Sequence, residues 1–299
     1  MRHRYLCPLR WSDLDLLGHV NNVRYADYLQ EARGALLRSC LAAAGVEREE
    51  GDAYVIVRHE LTFVAPMMFG REPVAVESWV TEIRPSSFTL DHEIFHERED
   101  GSRTVHLRAR TVMAPFDAAT GGPRRVTDVE RGALAPYLVE GRERSVPVVV
   151  DVPHDVAAHF PIHVRFSDLD IYRHVNNVQY VEYFQEARIE TFSRLADALK
   201  GFDRVSVVVA QTDIEYLAPM VLRADPYDSW TRVTRIGTKS MTVEAEIRDS
   251  TGGAAGGQVL ARSRAVVVFF DVEAQRSITP PEGYREAIAA VIGKPLPTT

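Results

Sequence analysis

The chain has 299 residues, 45% of them hydrophobic and 26% charged, with a formal net charge of −7. That is the balance of an ordinary globular protein, long enough for about two domains, and its acidic sign offers no basic face to nucleic acid. Two cysteines, Cys7 and Cys40, make neither a disulfide framework nor a metal knuckle, and the apolar runs are too short to span a bilayer. With no apolar signal core at the start, the expected setting is the reducing cytoplasm, away from any membrane.

In chain order, Tyr5 to Trp11, and later Ile162 to Phe166, alternate or run apolar as strands do. The stretch Trp11–Arg33 then recurs as Phe166–Arg188, at a constant offset of 155 and with 15 of 23 paired positions identical. Chance pairing would match about one or two. The chain is therefore duplicated, and the repeat predicts two domains, residues 1–148 and 149–299.

Each copy passes from a strand through a polar turn into a helix. The turn carries Asp13, Asp15, His19, Asn21 and Asn22, and in the second copy Asp168, Asp170, His174, Asn176 and Asn177. Asparagine is a favoured N-cap, so the helices are expected from Asn21–Asn22 and Asn176–Asn177. They carry apolar stripes at Val23, Ala26, Leu29, Ala32, Leu36 and Cys40, and at Val178, Val181, Phe184, Ala187, Thr191 and Leu195.

Four strands follow each helix. They are expected near Ala53–Val64, Pro73–Ile83, Phe88–Glu97 and Arg103–Phe116, and again near Ser206–Leu217, Pro226–Val233, Met241–Arg248 and Val259–Phe270. The first of each set leads to an Ala-Pro-Met run at Ala65–Met67 and Ala218–Met220, and Trp79 and Trp230 read as being in register. Gly121–Gly122 and Gly252–Gly257 mark turns. Short helical tails are expected at Val129–Leu138 and Glu282–Ile292, with a linker over Gly141–Pro153. One apolar helix against an antiparallel sheet is an α+β arrangement. Two such copies can pair their exposed sheet edges as an internal pseudo-dimer, which leaves room for a homodimer of that pseudo-dimer.

A carboxylate one turn before a helix lies near unpaired N–H groups and the positive end of the dipole, where a developing oxyanion is stabilised. Asp15 and Asp170 are the candidates, against the plainer reading that aspartate caps turns. Asp13 and Asp168 read as structural, bonding turn amides. His19 and His174 read equally as acid–base groups or as turn fixers. Asn21, Asn176 and the side chains of Asn22 and Asn177 read as caps. Glu31 and Glu186, with Arg33 and Arg188, read as a polar stripe with local ion pairs. No serine elbow, P-loop, dinucleotide fingerprint or zinc pattern occurs, so no cofactor, metal or serine nucleophile is expected.

The run Asp-Leu-Asp-x-x-x-His-Val-Asn-Asn-x-x-Tyr, present twice, resembles the hot-dog-fold thioesterases of the 4-hydroxybenzoyl-CoA and long-chain acyl-CoA branch. It is also similar to the tandem acyl-ACP thioesterases. The resemblance implies two hot-dog domains, each a sheet wrapped around a central helix, and hydrolysis of an acyl-CoA or, as the alternative, an acyl-ACP. It implies that Asp15 and Asp170 attack the thioester or activate water, and that the backbone N–H of Asn22 and Asn177 polarises the carbonyl. In the acyl-ACP branch a histidine contributes, matching His19 and His174, but the asparagine two residues after the aspartate is replaced here by Leu17 and Tyr172. Gly18 matches the acyl-CoA branch. Arg173 stands in its place in the second copy, where it could meet a carrier phosphate or pair with Asp170. A non-catalytic module binding acyl thioesters is the reading from another class.

Overall fold

The computed structural model describes residues 1–45, 52–117, 120–139, 141, 147–154, 158–196, 199–200, 202, 205–251 and 257–292. Part of the expected linker and all but Gly257 of the second glycine-rich tip lie outside them. The chain divides into two compact units, Met1–Val146 and Pro147–Thr299.

Unit 1 runs β1 (His3–Cys7), α1 (Arg24–Ala43), β2 (Asp52–Phe63), β3 (Val74–Ile83), β4 (Phe88–Glu97), β5 (Arg103–Asp117), the two-residue β6 (Gly122–Pro123) and α2 (Asp128–Leu134). Its antiparallel sheet has the order β1-β3-β4-β5-β2. Helix α1 presses Ala26, Leu29, Ala32, Leu36 and Cys40 inward, each at most 1% exposed. Burying a large apolar side chain is worth about 1.5–3 kcal/mol, which outweighs any intrinsic helix propensity here. The last helix is fixed by a reciprocal cap, in which the Glu130 N–H donates to Thr127 Oγ1 and the Thr127 N–H to Glu130.

Unit 2 repeats the plan as β7 (His159–Ile162), α3 (Asn177–Ala196), β8 (Ser206–Tyr216), β9 (Tyr227–Ile236), β10 (Ser240–Asp249), β11 (Gln258–Asp271), β12 (Arg276–Ser277) and α4 (Tyr284–Ile292). Its sheet order is β8-β11-β10-β9-β7. Each unit is a sheet packed on a long central helix, the α+β arrangement expected. Among the described residues no helix is long and apolar enough to cross a membrane.

Four expectations need correction. The opening strands end early, at Cys7 and Ile162, and Trp11 and Phe166 begin single 3-10 turns instead. The reason is local: the Arg10 and Arg165 N–H groups bond to the Asp13 and Asp168 carboxylates rather than to a neighbouring strand. Helix α1 starts at Arg24, after a turn at Asn22–Val23, whereas α3 starts at Asn177 as expected. The two tryptophans are not equivalent. Arg4 pairs with Glu77 as His159 pairs with Trp230, so Trp230 corresponds to Glu77, two residues before Trp79. Finally, Arg33 and Arg188 are buried, at 4% and 7% exposure, while Glu31 and Glu186 are exposed. Residues two apart on a helix do not share a face, so no ion-paired stripe forms between them.

Candidate active site

The repeated turn folds the same way in both units. The N–H groups of Leu17 and His19 donate to Asp15 Oδ1 at 2.8 and 3.2 Å. Those of Tyr172 and His174 donate to Asp170 Oδ1 at 2.8 and 3.2 Å. The main chain closes the loop from the other side, the Asp15 N–H reaching His19 O and the Asp170 N–H reaching His174 O, both at 2.8 Å. Each aspartate thus spends one oxygen on the turn, and Oδ2 takes no hydrogen bond from the described residues. Both residues are partly exposed, so that oxygen is open to a ligand.

The neighbouring aspartates do different work. Asp13 Oδ2 accepts the Arg10 N–H at 2.8 Å and the Tyr28 hydroxyl at 2.7 Å. Asp168 Oδ2 accepts the Arg165 N–H at 2.7 Å and the Tyr183 hydroxyl at 2.8 Å. These buried carboxylates tie the turn to the second turn of the following helix. Asn21 Oδ1 accepts the Val23 N–H and Asn176 Oδ1 the Val178 N–H, both at 3.0 Å. Asn176 thus caps α3, whereas Asn21 closes the turn before α1, whose own cap position, Val23, has no side-chain cap bond.

His19 and His174 fix the turn through their backbone, and their rings hydrogen-bond nothing among the described residues. Asn22 gives its backbone N–H to no acceptor among the described residues, so a donor stands free at the entry to α1. Asn177, the first residue of α3, has its carbonyl held by the Tyr216 hydroxyl at 3.1 Å.

The Ala-Pro-Met loop forms the wall opposite the turn. The Val20 N–H bonds to Met67 O at 2.8 Å and the Val175 N–H to Met220 O at 2.9 Å. A first-turn tyrosine clamps the same loop: the Tyr180 hydroxyl accepts the Met220 N–H at 2.9 Å, and Tyr25 bonds the backbone of Met67. Burial pushes both phenols well above their ordinary range, with the charge of Asp15 or Asp170 adding to the effect. Both tyrosines close the repeated run, whose pattern alone gives them no role. A tyrosine on a helix stripe reads as core, and its contact with a loop some forty residues away is not legible in the sequence.

Gly18 and Arg173 both adopt positive φ, at 77° and 62°. Arg173 is exposed and makes no ion pair with Asp170.

The thioesterase-like superfamily matches residues 9–160 and 164–288, once for each copy of the repeated run. The chain belongs to that superfamily. Over 139 residues it is 27% identical to the long-chain acyl-CoA thioesterase FadM of Escherichia coli, covering 44% of this chain and 96% of that protein. Two solved structures extend the likeness across both units. One is the 12:0-ACP thioesterase from Umbellularia californica, with TM-score 0.70, 15% identity, and coverage of 93% of this chain and 94% of that one. The other is a putative oleoyl thioesterase from Lactobacillus plantarum, with TM-score 0.68, 15% identity, and coverage of 90% and 96%. At that identity they show the fold, which is two tandem hot-dog domains. The thioester-hydrolase class expected from the repeated run stands with the superfamily membership.

Proposed function

We propose that the protein hydrolyses an acyl-CoA to the free acid and CoA in the cytoplasm, with Asp15 and Asp170 as the reacting carboxylates. The observation that supports this is the division of labour within each aspartate. Oδ1 is fixed by two backbone amides and Oδ2 is left open beside the start of a helix. A carboxylate held in that way has its orientation set before substrate arrives, which is the entropic part of catalysis.

In the reaction, Oδ2 either attacks the thioester carbonyl, forming a mixed anhydride that water then hydrolyses to the free acid and the regenerated carboxylate, or takes a proton from the water that attacks the carbonyl directly. The oxyanion is met by the N–H at the helix entry, from Asn22 in one unit and Asn177 in the other, reinforced by the helix dipole. The thiolate leaves and is protonated, and His19 and His174, with unengaged rings at the turn, are placed to supply that proton. Gly18 and Arg173 flank the ligand's approach, the glycine allowing close contact and the arginine offering a cation to a carrier phosphate.

Thiol release from acyl-CoAs of short, long, branched and aromatic acyl groups tests the reading. In the double variant Asp15→Asn, Asp170→Asn the amide oxygen can still accept the two turn N–H bonds, so the fold is kept. Asparagine can act neither as nucleophile nor as base, so the rate should fall on the order of 10² to 10⁴ or more. Wild-type turnover in that variant would refute the mechanism. Tight binding of acyl-CoA without any turnover in the wild type would instead make the protein an acyl-thioester carrier.

A further inference from the structure

The interior of unit 2 contains a cation that the mechanism above does not use. Arg188 lies on the buried face of α3, is 7% exposed, and has no hydrogen-bond or ion-pair partner among the described residues. Burial alone pulls its pKa down to about 10. A guanidinium carries five N–H donors in a planar fork and has no acceptor of its own. Burying one unpaired is costly, so a site that keeps it is built for something that accepts its bonds.

Its surroundings follow from the duplication. Arg33 is the counterpart in unit 1, and there the guanidinium acts electrostatically on His59 and His92. His59 faces Thr111 across the sheet as Thr212 faces Ala265, and His92 faces Ser78 as Ala245 faces Thr231. The two imidazoles below Arg33 are therefore a threonine and an alanine below Arg188. All four unit 2 positions are at most 4% exposed, and the hydroxyls of Thr212 and Thr231 have no hydrogen-bond partner among the described residues. Unit 2 has thus exchanged two rings for smaller groups, which leaves a fork of donors and two idle hydroxyls at one place in the sheet's inner face.

We propose that Arg188 is a specificity-determining residue that seats a carboxylate carried by the acyl group, making unit 2 selective for ω-carboxyacyl thioesters over plain hydrocarbon ones. This rests on the thioester-hydrolase reading only for the identity of the carrier. The bidentate match between guanidinium and carboxylate supplies the chemistry, and Thr212 and Thr231 are placed to add hydroxyl donors. Eleven residues separate Asn177 from Arg188, about 16 Å of helix rise. Side chains lean back toward the helix N-terminus and shorten that span. The distance suits an acyl chain of medium length, with its thioester at the turn and its far carboxylate at the arginine.

The test compares suberate with octanoate, and suberoyl-CoA with octanoyl-CoA, on the full chain and on Arg188→Met and Arg188→Lys. Calorimetric titration of the wild type should show suberate binding at least tenfold tighter than octanoate. Arg188→Met should abolish that difference, and Arg188→Lys should retain part of it. In thiol release the suberoyl-to-octanoyl ratio of kcat/KM should fall ten- to hundredfold in Arg188→Met while octanoyl-CoA turnover holds or rises. Equal binding of the two acids by the wild type would overturn the proposal, and that arm needs no variant to fold. An unchanged ratio in a folded Arg188→Met would also overturn it, leaving the arginine a structural cation. If suberate binds through Arg188 but no acyl-CoA is cleaved, the seat stands and the hydrolase reading fails.

Discussion

Gly18 and Arg173 occupy the same left-handed step of the repeated turn, at φ 77° and 62°. The bonds around them agree closely: Gly18 N–H to Asp15 O and Arg173 N–H to Asp170 O are both 3.1 Å. The turn therefore keeps its geometry and the arginine absorbs the strain, which for a residue with a Cβ is about 1–2 kcal/mol. Replacing Arg173 by glycine removes that strain but returns about 0.4–1 kcal/mol of freedom to the unfolded chain. Arg173→Gly should raise stability by up to about 1.6 kcal/mol. Gly18→Ala should lower it, although an added Cβ there meets no atom within 4 Å. Shifts of the denaturant midpoint in opposite directions would confirm both.

The same pair makes the two sites unequal. The carboxylates are held alike, so the difference lies in what stands beside them: a bare glycine in unit 1, and in unit 2 an exposed arginine that does not pair with Asp170. Whatever Arg173 offers a carrier phosphate, its long side chain also stands in the path of the acyl group, which the bare Gly18 does not, and this obstruction should outweigh the attraction. Asp15→Asn should cost more activity than Asp170→Asn toward an unsubstituted acyl-CoA. Equal losses, or a larger loss at Asp170, would show that Arg173 is no obstacle.

How much of this was legible in the sequence depended on distance along the chain. The strand–turn–helix unit was readable because its determinants, Asp13 to Arg33, are contiguous and occur twice. The open Oδ2 of Asp15, the loop clamp by Tyr25 and the burial of Arg33 were not. The first depends on which carboxylate oxygen the Leu17 and His19 amides take, and the others on residues tens of positions away or on which helix face meets the sheet. A shared tryptophan does not mark a common register here, because one rare residue type can fall at neighbouring positions of the same strand in the two copies. The partners across β1 and β7 show that the common register passes through Glu77 and Trp230.

The buried carboxylates Asp13 and Asp168 are tethers, and their loss should be distinguishable from loss of chemistry. Tyr28 donates to Asp13 Oδ2 at 2.7 Å in the core. Tyr28→Phe removes the donor and leaves the carboxylate short of a partner, a change worth about 1.5–3 kcal/mol for a bond to a charged group. Thermal unfolding of Tyr28→Phe should fall accordingly, while kcat for the residual folded enzyme stays within a few-fold of wild type. A large loss of kcat at unchanged stability would instead place Tyr28 in the reaction.

The interior histidines of unit 1 set a pH limit on the fold. Burial, with Arg33's charge adding to it, takes His92 down from 6.5 to about 3. The same two causes push His59 well below 6.5. Burial, and then the neighbouring His96, lowers His106, whose ring lies 2.9 Å from that of His96. Each of these groups binds its proton less readily folded than unfolded. Below the unfolded value of 6.5 the unfolded chain therefore carries more protons, and stability must fall as pH falls. For His92 the stabilisation is fully present above 6.5 and is lost progressively as pH drops toward about 3. Glu130 acts in a lower window. Burial raises it, but bonds from Arg124, Tyr54 and the Thr127 N–H outweigh that and hold it at about 2, so its contribution disappears only between 4.5 and 2. The midpoint of urea unfolding should accordingly decline between pH 6.5 and 4.5, before the carboxylates contribute. His92→Asn keeps a polar group beside Ser78 but cannot take up a proton, so it should flatten that upper part of the curve. A variant whose stability falls as steeply as wild type through that interval would show that the imidazole is not what titrates.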